Sequence, residues 1–286
     1  MMENQEITVS ICCITYNQEK YISQALESFL MQKTDFNFEI IIGDDCSSDD
    51  TNQILLAYQT IYPNKINVIS QKKNIGGINN QMSTLNKAKG KYIAMCDGDD
   101  FWIDPLKLQK QVDFMNQQQD CVICCHYTRV INEKGEIISE HESPVQLVFS
   151  YEDVLLGRKD ETRICSLMVR NNDFIRDLGI QDWFYKTAGA DTFLKLYALS
   201  KTQGKIYVLP EVMAIYRIHL GGIWSMIDAK IRKQKMINDF NIMINNFKYS
   251  NQHKNELLKK YLFEFFLFDI KNFKLIEAIR TIKNLV

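Results

Sequence analysis

The chain has 286 residues, 46% of them hydrophobic and 24% charged. These are globular values that exclude wholesale disorder, collagen and a small disulfide scaffold. Lys and Arg number 34 against 35 Asp and Glu, a net charge of -1, so no nucleic-acid partner is expected and any anionic ligand must be recognised locally.

The 8 cysteines lie mostly in apolar runs, where a thiol behaves as a small hydrophobe. Cys121 and Cys124 have CxxC spacing, but no second pair or nearby histidine completes a zinc site. Adjacent cysteines and a polar, acidic start from Met1 to Thr8 lead us to expect a reduced, cytoplasmic protein. No run reaches the ~18 apolar residues that span a bilayer.

Val9 to Ile14 is an apolar run suited to a strand buried on both faces, with Asn17 placed to cap the next helix. Tyr21 to Met31 repeats apolar residues at helical spacing. Phe38 to Gly43 predicts a second buried strand, and Ser47 or Ser48 the cap of a helix carrying Ile54, Leu55, Tyr58 and Ile61. Ile66 to Ser70 predicts a third strand, Gly77 to Ala88 a helix and Tyr92 to Cys96 a fourth strand. The alternation is that of a mostly parallel α/β sheet. Three of these strands end in polar loops at one edge, where open α/β sheets bind ligands. The loops are Thr15-Tyr16-Asn17, Asp44-Asp45-Cys46-Ser47 and Asp97-Gly98-Asp99-Asp100, so five aspartates are expected in one crevice.

Leu106 to Gln119 predicts a helix, Cys121 to His126 a strand and Thr128 to Ile138 a hairpin around Glu133-Lys134-Gly135. Ile164 to Val169 reads as a strand, Thr192 to Leu199 as a helix and Ile206 to Tyr216 as an extended run broken at Pro210. From Ser225 the pattern is helical, with a junction at Ser250 to Asn255. The expected organisation is a core of residues 1–224 followed by a helical extension, 225–286.

The carboxylates of Asp97, Asp99 and Asp100 offer hard oxygen ligands for Mg²⁺ or Mn²⁺. Three within four residues repel one another unless a cation or hydrogen bonds neutralise them. A solvated turn leading into a helix is the alternative. An EF-hand loop is excluded, because Trp102 stands where its glycine is required. Asp44 to Thr51 likewise ends a strand and opens a helix, with ordinary capping as its alternative.

Taken in order, these segments resemble family 2 glycosyltransferases of the GT-A fold, a Rossmann-like α/β architecture. Val9 to Asn17 is similar to the family's opening strand and nucleotide-contacting turn, and Glu39 to Thr51 to its second motif. Asn74-Ile75-Gly76 resembles the third motif, and Gly90 to Asp100 the metal-binding DxD strand. Gly189-Ala190-Asp191 stands where Glu-Asp is usual, and Tyr216-Arg217-Ile218-His219 resembles the closing motif. The resemblance implies metal-dependent, inverting transfer of a hexosyl or N-acetylhexosaminyl group from a nucleotide sugar, with a UDP-sugar expected. Its acceptor would be a carbohydrate or a lipid-linked glycan, in cell-surface polysaccharide assembly.

Carried over residue by residue, the resemblance gives the nucleotide sugar to Thr15, Tyr16, Asn17, Asp44, Asp45, Asn74, Gly76, Asp97, Gly98 and Arg217. It gives a Mn²⁺ or Mg²⁺ ion to Asp99, with Asp97, Asp100 and His219 as further candidates, and the general base to Asp191. Asp182 and Trp183 are candidates for the acceptor pocket, and residues 1–104 and 105–224 become nucleotide and acceptor halves. Ala190 replaces the customary glutamate and Cys46 a common glycine.

Gly221-Gly222-Ile223-Trp224 suggests a segment that closes over substrate. Tyr261 to Phe268, followed by Lys271, Lys274, Arg280 and Lys283, is expected to pack on the core or a second subunit, with peripheral membrane contact as the alternative. Two rivals are a haloacid-dehalogenase phosphatase and a non-catalytic nucleotide-sugar or glycan binding protein. The phosphatase wants its nucleophile strand near the start of the chain. The binding protein would more plausibly have lost either the acidic loop or Asp191.

Overall fold

The alternation expected of the first hundred residues is present in the computed structural model, which describes residues 6–159, 161–222, 228–271, 274–276 and 278–279. In chain order, β1 (Ile7–Thr15), α1 (Ile22–Leu30), β2 (Asn37–Asp44), α2 (Thr51–Ile61), β3 (Ile66–Ser70), α3 (Gly77–Leu85) and β4 (Tyr92–Met95) come first. Next are β5 (Phe101–Trp102), α4 (Lys107–Gln117), β6 (Cys121–Asn132), β7 (Ile137–Ser139), β8 (Leu147–Phe149) and α5 (Tyr151–Leu155). They are followed by β9 (Met168–Arg170), α6 (Phe174–Gly179), α7 (Ala190–Thr202), β10 (Lys205–Ile218), α8 (Ala229–Asn246) and α9 (Asn251–Lys271).

One sheet runs β3-β2-β1-β4-β9-β6-β10-β5, with β7 added on β6 and β8 on β10. β1 to β4 are parallel, β9 lies antiparallel between β4 and β6, and β10 returns parallel to β6. Successive side chains of β1 feed opposite cores, as strand geometry requires. Val9, Ile11 and Cys13 pack with Ile22, Leu26 and Phe29 of α1, whereas Cys12 packs with Met82 and Leu85 of α3. That two-sided burial is why the strand reads as an unbroken apolar run.

Several expectations are corrected. Asn17 caps no helix: it sits at φ 53° and α1 begins at Ile22. Neither Ser47 nor Ser48 caps α2, whose N-cap is Asp50 without a side-chain bond. Instead Asp49 Oδ1 accepts the Thr51 amide at 3.0 Å. Ile164–Ser166 is a 3-10 turn, and the strand at that place is β9. Pro210 does not end β10; the strand's register against β6 shifts between Leu209 and Val212, a bulge that accommodates a residue with no amide to donate. The hairpin after β6 is present as β6–β7.

Packing runs across residue 225. Phe240 and Met243 of α8, Phe247 just beyond it and Leu257 of α9 are buried in the same core as Phe193 and Tyr197 of α7. Among the described residues no helix is long and apolar enough to cross a membrane. Ile223, Trp224, Arg280 and Lys283 lie outside the described residues.

Trp102 is 1% exposed, and its indole donates to the Cys165 carbonyl at 2.8 Å. Over its ring, 3.8 Å from the centroid, lies the ammonium of Lys107, fully buried and without a hydrogen-bond partner among the described residues. Burial pulls this amine down to about 8, whereas an unfolded lysine titrates near 10.4. Between those values the unfolded chain binds more protons, so stability rises with pH across the window. Lys107→Met is expected to be more stable than wild type at pH 7, by about 1 to 3 kcal/mol. The gap should close as pH passes from 8 to 10. Urea midpoints for both chains at three pH values check this; a constant gap defeats it.

Candidate active site

Parallel pairing brings the carboxyl ends of β1, β2 and β4 to one edge, with Thr15 opposite Asp44. The loops beyond them interlock. Thr15 O accepts the Asp45 amide at 3.0 Å, and Ile14 O accepts the Gly98 amide at 2.9 Å. Asn17, in the left-handed region that Asn tolerates, donates its amide to Ser47 Oγ at 2.9 Å and accepts the Ser48 amide at 2.8 Å. Cys46, in glycine's usual place, adopts φ 63°, so the turn keeps its conformation without glycine's freedom.

The two aspartates of the second loop turn inward. Asp44, 1% exposed, accepts from Ser47 Oγ and from Asn52 Nδ2 at 2.9 Å. Asp45 accepts the successive amides of Ile75 and Gly76 at 2.7 and 2.9 Å. It thereby fixes the Asn74-Ile75-Gly76 loop, whose Gly76 has φ 86°. Thr15 is buried and bonded to Gln18 at 2.8 Å, while Tyr16 is 47% exposed at the mouth of the crevice.

In the acidic loop, Gly98 is confined: a Cβ there would lie 2.6 Å from Gln18 Oε1 and 3.0 Å from Thr15 Cβ. β5 pairs with β10 at Phe101 and Trp102, and this pairing carries Arg217 and His219 to the acidic loop. His219 Nε2 lies 2.8 Å from Asp99 Oδ2. The Gly221 amide donates to Nδ1 at 3.2 Å, so the ring proton sits on Nε2 and points at the carboxylate. Arg217 donates through Nε to Asp99 O at 3.0 Å and through Nη2 to Gln24 Oε1 at 2.7 Å. Its guanidinium lies 4.7 Å from the Tyr21 ring centroid. The side chain thus braces the loop from behind, 9% exposed as a residue.

The three acidic side chains differ in situation. Asp100 accepts the Arg217 amide at 2.8 Å, and burial, reinforced by the Asp99 charge, holds its carboxyl well above the usual range. Asp97 is pushed up to about 8 by burial, then by the charges of Asp99 and Asp191. The charge of Asp191, from α7, is thus felt at Asp97. Among the described residues no group of three or more His, Cys, Asp or Glu is arranged to hold a metal ion.

Asp191 lies in the first turn of α7, where helix-end amides favour a negative charge. Its carboxylate pairs at 2.9 Å with Lys195, a 1% exposed ammonium that also donates to Thr162 Oγ1 at 3.0 Å. Lys159 donates to the neighbouring Thr192 hydroxyl. Burial would raise the Asp191 carboxyl, but Lys195 and Lys159 outweigh it and hold it below the usual range. Trp183 packs against Phe247 and Phe193, 5.4 and 5.7 Å between ring centroids, and Asp182 is exposed. Near α7, residues 186–188 and α8 enclose a cleft of about 360 Å³.

This sheet, with its acidic loop and helical flanks, is the GT-A fold. S. aureus TarS 1-349 in complex with UDP-GlcNAc matches it with a TM-score of 0.66 at 20% identity, over 90% of this chain and 72% of that one. The mannosyltransferase PcManGT from Pyrobaculum calidifontis, in complex with GDP-Man and Mn²⁺, matches with a TM-score of 0.65 at 15% identity, over 98% and 75%. Residues 10–179 match the glycosyl transferase family 2, and the chain belongs to that family. An uncharacterised protein of Mycobacterium tuberculosis is 37% identical over 229 residues, 79% of this chain and 63% of that protein. The chain thus spans less than two thirds of the length of that relative.

Proposed function

We propose that the chain is a metal-dependent, inverting glycosyltransferase that moves a sugar from a nucleotide sugar, a UDP-sugar first, to a carbohydrate or lipid-linked glycan. The observation that carries this reading is the Asp99–His219 pair in the acidic loop at the sheet edge, beside an Asp97 that feels the charge of Asp191. Family membership and the nucleotide sugars in the two related structures support it. Surface polysaccharide assembly at the cytoplasmic face is the setting this reading implies.

Asp99 and His219 would hold a divalent cation in place of the Nε2 proton that now bridges them, and a carboxylate with one imidazole suits Mn²⁺ more than Mg²⁺. Asp97 is the third candidate, and Asp100, committed to the Arg217 amide, supports the loop. The ion, when bound, would neutralise the charge that develops on the departing nucleoside diphosphate. The protein's residues do the rest. Thr15, Tyr16, Asn17 and the loops organised by Asp44 and Asp45 wall the nucleotide side. Asp191, kept ionised by its two lysines, takes the acceptor hydroxyl proton onto its carboxylate as the hydroxyl attacks the anomeric carbon. A single displacement from the opposite face inverts that centre. The cleft between residues 186–188 and α8 is the acceptor's approach.

Calorimetric titration of UDP with and without Mn²⁺, with GDP as competitor, tests the reading. Metal-dependent UDP binding, followed by turnover of a UDP-sugar, is the expected result. A folded protein that binds neither nucleotide with any metal would leave the non-catalytic binding protein as the better reading.

A further inference from the structure

We propose that Asp239, on α8, is a positioning residue for Asp191; this rests on the reading of Asp191 as the general base. α7 begins without a cap of its own, since its N-cap is Gly189 and no side chain of the capping residue bonds there. The service comes from 50 residues downstream. Asp239 Oδ1 accepts the Ala188 amide and Oδ2 the Gly189 amide, each at 2.8 Å. The preceding residue on α8, Asn238, donates through Nδ2 to the Lys186 carbonyl at 2.7 Å. Two neighbouring side chains thus grip the turn before Asp191 from both polarities, taking two N–H groups and giving one.

A grip of this kind positions only if its own support is rigid. The support is aromatic: Phe247, the residue after α8, lies 6.0 Å from Phe193 of α7 and 5.4 Å from Trp183, between ring centroids. Phe240 and Met243 are buried in the same core. Shared core packing thus ties α8 to α7, and the carboxylate of Asp239 holds the amides three and two residues ahead of the base. Asp239 also belongs to the charge set around Asp191. Lys159 faces both carboxylates, with Lys195 and Lys260 as the other cations near it. The helical extension, on this inference, is part of the catalytic wall.

The geometry separates the variants. Asp239→Asn keeps the size of the side chain but offers an amide NH₂ where one backbone N–H needs an acceptor. Asp239→Glu keeps both oxygens. A displacement of ~1 Å at a reacting group is enough to cost ~100-fold in rate. The experiment uses the full chain with Mn²⁺ and counts nucleoside diphosphate released to water from UDP-GlcNAc, UDP-glucose and GDP-mannose, with the fastest donor carried forward. Amide hydrogen exchange at residues 188–191 is followed in parallel.

Asp239→Asn is expected to lower kcat about 10- to 100-fold with donor KM within about twofold. Exchange should accelerate at Ala188 and Gly189 without a matching change across the sheet, and Asp239→Glu should recover part of kcat. Unchanged kcat, or unchanged exchange at those two amides, overturns the proposal. So does a fall in kcat that tracks a general loss of stability. Asp191→Asn assayed alongside separates the deeper failure: wild-type kcat there removes the base, and Asp239's role with it. Turnover of none of the three donors by wild type overturns the proposed function itself, and this inference with it.

Discussion

Asp191→Asn is expected to lower turnover of the nucleotide sugar about a thousandfold while leaving nucleotide affinity within about twofold, the signature of a lost general base. The substitution has a second effect that must be kept apart from the first. Lys195 is 1% exposed and loses its carboxylate, and breaking such a pair on one side costs about 3 to 5 kcal/mol. The single variant is therefore expected to melt several degrees lower. Asp191→Asn with Lys195→Met removes both charges, so it should regain most of the stability and none of the turnover. Recovery of activity in the double variant would defeat the assignment. Because the two lysines hold the Asp191 carboxyl below the usual range, it stays ionised from neutrality through mildly acidic pH. Its loss of charge, and of rate, should appear only below the ordinary carboxylate range.

Asp99→Asn is expected to abolish the gain in UDP affinity that Mn²⁺ confers, read as the ratio of dissociation constants with and without metal. The loss should exceed the 10- to 100-fold that groups merely orienting a metal ligand carry. His219→Gln removes the other half of the 2.8 Å pair and should lower the same ratio, leaving metal-free UDP affinity unchanged. Arg217→Lys addresses a different element. Its guanidinium touches the Asp99 carbonyl and Gln24, so its loss should loosen the acidic loop and weaken both states together. A variant of Asp99 with the wild-type metal ratio would move the cation elsewhere.

Much of the edge was legible because period and burial coincide there. β1, β2 and β4 are buried on both faces, so their sequences are continuous apolar runs, and each run stops where the chain leaves the sheet for the ligand edge. The short elements carried no such signal. β5 is two residues long and has no period to read, yet it seats the closing motif. α5 did have a mark, the capping box of Ser150 and Asp153, a spacing that can be read directly.

Within the site, the sequence gives residue types but little of their division of labour. Asp44, Asp45 and Arg217 resemble ligand contacts in their motifs, and their side chains here bind the protein itself: Asp44 its own loop and α2, Asp45 the loop of Ile75 and Gly76, Arg217 the acidic loop and α1. The Lys195 partner of Asp191 was within reach of sequence reasoning, since the two stand four apart on one helix face. Asp239 was not, because nothing local links it to Gly189. Aromatic packing placed α8 there, and such packing has no signature beyond the apolar positions of the helix.

Asp99 and His219 are 120 positions apart, and the strand that leads to His219 is β10, the last in chain order among the described residues. A chain that has assembled only β1 to β4 would possess the acidic loop but not the imidazole that faces it. Contacts of such long sequence separation form late, after the entropy of closing the intervening loop has been met. On the proposed reading, metal-dependent nucleotide affinity would therefore report the finished topology. In refolding it should lag the return of secondary structure, and in partial denaturation it should be the first property lost.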